Sequence, residues 1–353
     1  MDHTENDKNK SGGRCLQLDG LRGFAIILVV LSHNSILNQG GVANALFFVL
    51  SGFLFLNPFK DGYEQRLLSP KGILNYYKGR ALRILPAYYL VLAFIFIQTR
   101  FSVIAKTDLI KLMYFGIPYR HLWYLYALVR VLLIIPLVFI VLLLIAKKVK
   151  FLNNDLVCAL IMFVIAGVIR RVLMHVDWYD IRFYQFLLGV CAAYLFRFIR
   201  THVKISDAVK KCRIAGEILT VLAAGFIFVS SNVVLVKFFP DKSEFYIGWK
   251  HTFIVGVIMS LLVLLVSLYP DSLFGKLLGS KIMLFIGKLS LPIYLLNNFV
   301  IDQIPLENRF LRFAFVFSLC IVLGWVIDKV TGIFISLAGG KYFLRKSENG
   351  TNG

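Results

Sequence analysis

The chain has 353 residues, of which 59% are hydrophobic and only 16% are charged, and its mean hydropathy is +0.76. Average soluble domains hold about 45–50% apolar and about 25% charged residues, so this composition excludes a soluble enzyme and indicates a polytopic membrane protein. The formal net charge is +20, but no basic stripe lies on a soluble module, so we expect no nucleic-acid partner. We relate the basic surplus to membrane topology and to anionic lipid instead.

Apolar runs recur along the whole chain. A helix needs about 20 apolar residues to cross the hydrocarbon core of a bilayer, and most of the runs are close to that length. We therefore predict an all-α, polytopic membrane protein with about ten transmembrane helices. The predicted spans cover residues 21–37, 42–56, 82–99, 121–146, 156–174, 183–199, 214–236, 250–269, 282–301 and 313–335.

Basic residues are distributed unevenly between these spans. With the N-terminus inside, the cytosolic segments hold roughly twice as many Lys and Arg residues as the outer segments. By the positive-inside rule we predict that both termini are cytosolic. The chain then divides into a cytosolic tail at 1–17, a transmembrane domain at 18–338 and a second cytosolic tail at 339–353.

The first predicted span carries two ionisable residues on one face. Arg22 lies near its start, and His33 lies eleven residues further on, in GFAIILVVLSHNSIL. At about 100° per residue, eleven residues make about three turns, so both side chains share one helix face about 16 Å apart along the axis. This spacing suits a long, thin ligand such as a coenzyme A thioester, with its anionic head at Arg22 and its reactive tail at His33. The alternative is a snorkelling Arg22 and a packing His33 with satisfied hydrogen bonds.

Ser51 and Gly52 interrupt the apolar second span, GGVANALFFVLSGFLF. Small residues let helices approach closely and let a ligand contact the backbone, so both are candidates for donor binding. Ser51 could also be a nucleophile, although the sequence assigns no base to it. Packing or a kink is the alternative to both interpretations.

A second basic pair lies at the start of the third span. Arg80 and Arg83, in YKGRALRILPAYYL, are three residues apart and so share one helix face. Guanidinium groups bind phosphate through paired donors, so this pair is a candidate for the anionic head of the same ligand. The alternative is two ordinary basic residues at the cytosolic end of a span. The binding interpretation is favoured because both basic clusters fall on the same predicted side.

Polar and aromatic residues also gather in segments predicted to face outward. His121 opens the fourth span in RHLWYLYALVR, followed by Trp123 and Tyr124, and HVDWYDIR after the fifth span adds Trp178 and Arg182. Such groups could stack on a sugar and hydrogen-bond it. A surface histidine and an interfacial belt of aromatic residues are the alternatives. The candidates for the acceptor side are His121, Trp123, Trp178 and Arg182.

Other polar residues carry no predicted chemistry. Asp328 and Lys329, late in the last span, form either a mutual pair or an interfacial break. The cysteines fall in predicted spans or on the predicted cytosolic side, without a CxxC pair, so we expect free thiols and no metal site. They are Cys15, Cys158, Cys191, Cys212 and Cys320.

Six segments between about residues 16 and 300 carry a resemblance to a known family. They are LDGLRGFAIILVVLSH, FFVLSGFLF, RALRILPAYYL, HLWYLYAL, RFYQFLLGV and IGKLSLPIYLL. In this order they resemble the acyltransferase 3 family of membrane proteins. The Arg and His of the first segment look like the signature of that family, and RALR looks like its paired-arginine motif.

This resemblance implies an O-acyltransferase of the bacterial cytoplasmic (inner) membrane. Such an enzyme moves an acyl group, most often acetyl, from cytosolic acyl-CoA to a hydroxyl of a surface or lipid-linked carbohydrate. The resemblance implies that His33 is catalytic, that Arg22 supports the donor or the site, and that Arg80 and Arg83 contact the CoA phosphates. Acetyl-CoA would be the donor substrate, with no bound cofactor, and 18–338 would be the acyltransferase 3-like domain.

Two departures from the family pattern bear on the acceptor and on the site. Members that modify peptidoglycan or work with an attached esterase domain commonly read HLWFLSVEEQFY, whereas Leu128 and Val129 replace the Glu pair here and we expect no extra domain. This favours a stand-alone enzyme for an O-antigen of lipopolysaccharide, a capsule or a lipid-linked sugar. The late segment often ends like YLWH, but Asn297 takes that His position, so the role of a second His is missing or replaced.

His33 could act in two ways. It could take the proton from a sugar hydroxyl as a general base, or it could form an acyl-histidine. The sequence leaves both routes open and supplies no orienting carboxylate, because Asp19 lies about 21 Å along the helix. The competing classes are a transporter or flippase for glycan or lipid and a non-catalytic sensor or scaffold. Dependence on acyl-CoA would separate the enzyme from both.

Overall fold

The computed structural model describes residues 15–60, 62–98, 111–116, 122–172, 182–229 and 250–337. Within these ranges the chain forms helices joined by turns, without a strand, which confirms the all-α prediction. Short 3₁₀ helices at Tyr63–Leu68 and Lys150–Asn153 precede α3 and α5. The α-helices are α1 Leu16–His33, α2 Gly40–Leu56, α3 Pro70–Gln98, α4 Trp123–Lys148, α5 Asp155–Val172, α6 Phe183–Thr201, α7 Val203–Lys211, α8 Arg213–Val229, α9 Lys250–Leu268, α10 Leu273–Leu278, α11 Lys281–Lys288, α12 Ser290–Asp302 and α13 Arg309–Leu337.

The length and apolar composition of these helices identify a membrane protein. Among the described residues, α1, α3, α4, α6 and α13 are each long and apolar enough to cross a bilayer, and the pair α11–α12 adds a sixth if it forms one bent span. α2 and the segment Phe253–Leu268 of α9 are apolar but shorter. Large apolar side chains on α4, among them Leu133 and Leu137, are exposed, as expected for a lipid-facing surface. The total of about ten spans and the sides of the termini stay predictions.

The start of α3 differs from the prediction. The helix begins at Pro70, well before the predicted residue 82, because hydropathy registers apolar content rather than helix formation. Ser69 caps it by accepting a hydrogen bond from the Gly72 backbone N–H at 3.1 Å, and proline is favoured in the first turn. Arg80 and Arg83 therefore lie inside a continuous helix rather than at its entrance.

A break replaces the predicted single span at 282–301. α11 and α12 are bent by 70° at Leu289. Pro292 lies in the first turn of α12, where its missing N–H removes no helical hydrogen bond. The polar pair Lys288–Ser290 and this proline mark the break in the sequence, although the apolar run continues through it.

Glycines bring α1 against the broken pair. A Cβ at Gly23 would overlap the carbonyl oxygen of Met283 on α11, and a Cβ at Gly287 would overlap that of Asp19 on α1. Two facing glycines allow backbone-to-backbone contact that a larger residue would prevent. α1 and α11 thereby form a close pair, which fixes where α12 starts.

A second glycine contact joins α2 to α6. A Cβ at Gly52 would overlap the carbonyl oxygen of Phe186, and a Cβ at Gly189 would overlap that of Val49. This supports the packing interpretation of Gly52, because its open side is filled by α6. Its predicted role in donor binding is left as a prediction.

The 3₁₀ helix before α3 is anchored by charge. Arg197 on α6 binds Glu64 at 2.7 Å and Asp155 at 2.6 Å. Glu64 and Arg197 are both largely buried, so this pairing ties the 3₁₀ helix to α5 and α6.

Candidate active site

The ring of His33 contacts the amide of Asn297. The Nδ1 atom of His33, in the last turn of α1, lies in hydrogen-bond contact with Oδ1 of Asn297 on α12, and Asn297 is fully buried. The two residues are 264 positions apart in sequence. The bend after Leu289 and the α1–α11 contact bring them together.

The hydrogen bonds of Asn297 define the tautomer of His33. Its Nδ2 group donates to the backbone carbonyls of Ile293 at 3.2 Å and Tyr294 at 2.6 Å. Both amide protons are used, so Oδ1 faces His33 and can only accept. Nδ1 of His33 therefore carries the proton, and Nε2 keeps its lone pair. This is the form that a base or a nucleophile requires.

The turn after His33 is fixed by α13. The side chain of Asn34 donates to the Val30 carbonyl at 2.8 Å, and Arg312 donates to Oδ1 of Asn34 at 3.3 Å. Arg309 donates to the Ser35 carbonyl at 2.9 Å. Cations are favourable at the C-terminal end of a helix, so both arginines stabilise the end of α1 that carries His33.

Tyr124 occupies the centre of the site. Its ring packs against Phe48 on α2, with 4.8 Å between centroids, and against Tyr294 on α12, with 5.3 Å. Its hydroxyl lies against the Ser51 side chain. The Ser51 hydroxyl donates its proton to the Phe47 carbonyl at 2.8 Å, so neither contact supplies a base that would activate Ser51 as a nucleophile.

Tyr124 lies within electrostatic reach of two arginines from different helices, Arg22 and Arg83. Both guanidinium groups interact electrostatically with the Tyr124 hydroxyl, although they come from α1 and α3. Arg22 also forms an ion pair with Asp19, three residues before it. The predicted arginine and histidine of α1 thus lie at two ends of one site, with Tyr124 and Ser51 beside the arginine end.

Arg80 faces a different neighbour. Its guanidinium carbon lies 5.5 Å from the ring centroid of Tyr76 and interacts with Arg66 of the 3₁₀ helix. Arg80 and Arg83 share a helix face, as predicted, but they contact different groups. Arg83 belongs to the Tyr124 region, and Arg80 belongs to a cluster beside it.

The acceptor-side candidates are partly described. The guanidinium of Arg182 lies 5.7 Å from the ring centroid of Trp123, so these two predicted residues are neighbours. His121 and Trp178 lie outside the described residues. Within the described ranges no group of three His, Cys, Asp or Glu side chains could hold a metal ion.

Comparison with known proteins identifies the family. The acyltransferase domain of the acyltransferase 3 family matches residues 16–329, which is most of the chain and includes every described site residue above. The chain belongs to the acyltransferase 3 family. The resemblance carried by the six sequence segments is thereby confirmed, and the protein carries an acyltransferase domain in a membrane-protein fold.

Curated relatives are O-acetyltransferases by name. The chain is 27% identical over 313 residues to O-acetyltransferase OatA of Staphylococcus aureus strains NCTC 8325 and COL, a region that covers 79% of this chain and 49% of the relative. A putative O-acetyltransferase of strain COL is 24% identical over 321 residues, with 81% and 50% covered. The chain spans about half the length of these relatives, and no solved structure matches it.

The structure gives contacts for two groups whose roles the sequence left open. The side chain of Tyr124 is only 6% exposed and is packed between α2 and α12. Asp328 and Lys329 do not form a mutual pair. Asp328 binds Lys288 on α11 at 2.8 Å, and the Lys329 ammonium lies 5.8 Å from the ring centroid of Trp325.

Three residues of this family member were missed by sequence reasoning. Asn297 was read as the loss of a histidine, whereas it contacts His33 directly. Tyr124 sits inside the quoted HLWYLYAL segment, but only its tertiary contacts show its central position. Arg66 lies in a connecting segment without any sequence signal that would pair it with Arg80.

Proposed function

We propose that the chain is an O-acetyltransferase that moves an acetyl group from acetyl-CoA to a hydroxyl of a surface or lipid-linked carbohydrate, in the bacterial cytoplasmic membrane. The observation that carries the proposal is the contact of His33 with Asn297. This contact leaves an imidazole lone pair at one end of a site whose other end is cationic.

In the direct route, Nε2 of His33 takes the proton of the sugar hydroxyl while the hydroxyl oxygen attacks the thioester carbonyl carbon. The carbon–sulfur bond of the tetrahedral intermediate then breaks, and the imidazolium returns its proton to the departing CoA thiolate. Asn297 holds Nδ1–H throughout and stabilises the imidazolium by accepting its hydrogen bond. The products are an acetyl ester and free CoA.

In the second route, Nε2 of His33 attacks the thioester carbonyl itself. The carbon–sulfur bond breaks, CoA leaves as a thiolate, and an acetyl-histidine remains as an acetyl-imidazolium. The sugar hydroxyl then attacks its acyl carbon, the carbon–nitrogen bond breaks to restore the Nε2 lone pair, and the hydroxyl proton passes to the CoA thiolate. Both routes need the same lone pair and the same Nδ1–H donor. The contacts of Asn297 therefore support either route, and a trapping experiment separates them.

The arginines support a donor that enters from the opposite end of α1. Arg22 and His33 are about 16 Å apart along the helix axis, and Arg83 lies on the Arg22 side beside Tyr124. Cationic groups at one end and a nucleophilic nitrogen at the other suit an acyl-CoA, whose phosphates and thioester lie at opposite ends of a long arm. The names of the relatives favour acetyl as the transferred group.

The test measures ester-linked acetate on surface polysaccharide by NMR, in cells that make the wild-type chain, His33→Ala, or no chain. Loss of the base should lower transfer by about 10²–10⁴-fold, so acetate should vanish with His33→Ala. His202→Ala is the matched control, because His202 is an exposed residue after α6 that contacts the Phe198 carbonyl. Membrane expression is checked for each variant.

Equal acetate in all of these cells, across several glycan backgrounds, would refute the proposal and favour transport of a glycan or lipid. Purified chain with labelled acetyl-CoA and no acceptor then separates the two chemical routes. Hydroxylamine should release labelled acetohydroxamate from an acetyl-histidine, whereas the direct route gives no labelled enzyme.

A further inference from the structure

A second cationic cluster lies between the 3₁₀ helix and α3. The guanidinium carbon of Arg66 lies 3.6 Å from the ring centroid of Tyr63 and 5.9 Å from that of Tyr76. Arg80 approaches the same Tyr76 ring at 5.5 Å. Two guanidinium groups thus share one aromatic neighbour, and their positive charges act on each other.

No described carboxylate neutralises this pair. The carboxylate of the 3₁₀ helix, Glu64, is bound to Arg197 on the other side of that helix. The groups that act on the charge of Arg66 are Tyr63, Tyr76 and Arg80. Burial lowers the pKa of the Arg66 guanidinium, and the charge of Arg80 acts in the same direction.

Arg66 also has an unused donor. Its Nε atom is buried and, among the described atoms, has no hydrogen-bond acceptor. A buried N–H without an acceptor costs about 1–3 kcal/mol, and more when the group is charged. Two neighbouring cations and a free buried donor together form a site that an anion with several oxygens would satisfy.

We propose that Arg66 and Arg80 bind a phosphate of the acyl-CoA donor, while Arg83 acts with Arg22 nearer the reacting end. This inference rests on the proposed function for the identity of the donor. The inference gives the two arginines of the RALR motif different roles, because the charge of Arg80 acts on Arg66 and the charge of Arg83 acts on Tyr124. Three residues along a helix give a rise of about 4.5 Å, enough for the two side chains to serve different parts of one ligand.

The experiment measures binding of CoA to the purified full chain in zwitterionic nanodiscs by calorimetry. A hydrogen bond to a charged group contributes about 1.5–3 kcal/mol, so Arg66→Gln should weaken CoA binding by about 10- to 100-fold. Arg66→Lys keeps the positive charge but loses the planar guanidinium group. Its affinity for CoA should therefore lie between those of the wild-type chain and Arg66→Gln. Lys78→Gln on α3 is the control, because Lys78 is exposed and its substitution also removes one positive charge.

A second readout separates binding from folding. S-acetyl-pantetheine carries the thioester without any phosphate, so the wild-type chain and Arg66→Gln should use it at equal rates. Unchanged CoA affinity in Arg66→Gln would overturn the inference, and so would an equal loss of rate with both donors. A third arm adds phosphatidylglycerol to the nanodiscs. If Arg66→Gln alters only the response to that lipid, the phosphate belongs to a headgroup and the donor assignment is wrong.

The proposed function can fail independently. If the wild-type chain binds CoA and loses that binding with Arg66→Gln, but transfers acetate from neither donor, the phosphate site stands and the transferase proposal falls. If acetate transfer depends on His33 but the affinity for CoA is unchanged in Arg66→Gln, the transferase proposal stands and this inference is wrong.

Discussion

The His33 end of the site and the Arg66 cluster beside the site satisfy their polar groups in opposite ways. At the His33 end, Asn297 uses both amide protons on backbone carbonyls and its oxygen on the imidazole, so every polar atom of its amide has a partner in the protein. In the Arg66 cluster, the positive charges of Arg66 and Arg80 act on each other, and the buried Nε of Arg66 lacks an acceptor among the described residues. Internal pairing holds the His33 ring in place, whereas the Arg66 cluster is where we propose that a phosphate of the donor binds. Variants at the His33 end should therefore change turnover, and variants in the Arg66 cluster should change the affinity for CoA.

The largest effect in this comparison is expected where the His33 end is assembled. In Gly287→Ala, the new Cβ would overlap the Asp19 carbonyl, so α1 and α11 must separate and Asn297 must move with α12. We expect the free energy of unfolding to fall by about 2–3 kcal/mol and acetate transfer to fall with it. Thermal unfolding in detergent and transfer below the transition temperature measure both.

The control for this substitution is Gly332→Ala on α13, where an added Cβ meets no described atom within 4 Å. Alanine is the better helix former, so this change should leave stability equal or slightly raised. If Gly287→Ala behaved like Gly332→Ala, the close α1–α11 contact would not be what holds Asn297 at His33.

The next effect concerns the tautomer alone. Asn297→Leu removes the acceptor from Nδ1 of His33, so the proton can occupy either ring nitrogen and the buried N–H loses its partner. We expect turnover to fall by about 10- to 100-fold with unchanged affinity for CoA, because the cationic end is untouched. Steady-state kinetics and calorimetry separate the two quantities.

Asn298→Leu serves as the neighbouring control, since Asn298 lies on the same helix and only partly buried. An Asn297→Leu variant with normal turnover would mean that the His33 tautomer is set elsewhere. A variant that lost CoA binding instead would mean that the two ends are not separate.

The smallest effect is expected at Ser51, which lies beside Tyr124. Its hydroxyl donates to the Phe47 carbonyl and lies against Tyr124, so Ser51→Ala removes a neutral hydrogen bond rather than a nucleophile. We expect kcat to fall by less than about tenfold, because such a bond contributes about 0.5–1.5 kcal/mol. Kinetics with acetyl-CoA measure it, and complete loss of activity would instead identify Ser51 as a nucleophile.

Ser260→Ala on α9 is the matched control for Ser51. Like Ser51, Ser260 donates to the carbonyl four residues before it, that of Gly256, at 2.8 Å, although Ser260 is buried and Ser51 is only partly buried. Any effect of Ser51→Ala beyond that of Ser260→Ala then measures the contact with Tyr124.

Several parts of the fold and site follow from local sequence. The apolar runs predict the helices, and the spacing of Arg22 and His33 predicts that they share a face of α1, because helical periodicity depends on neighbouring residues alone. The same periodicity places Arg80 and Arg83 together. Hydropathy could not predict the break between α11 and α12, because both helices are apolar and the bend depends on how they pack.

The sequence by itself determined the helical class and the family, and it supplied the candidate histidine and arginines of the site. Only the tertiary structure decided which groups these residues contact. Asn297 reaches His33 across 264 residues because α12 is bent at Leu289 and because facing glycines hold α11 against α1. Arg80 and Arg83 separate because the 3₁₀ helix brings Arg66 to one of them and α4 brings Tyr124 to the other. Such contacts depend on helix packing and connection geometry, which local patterns of hydropathy and charge do not encode.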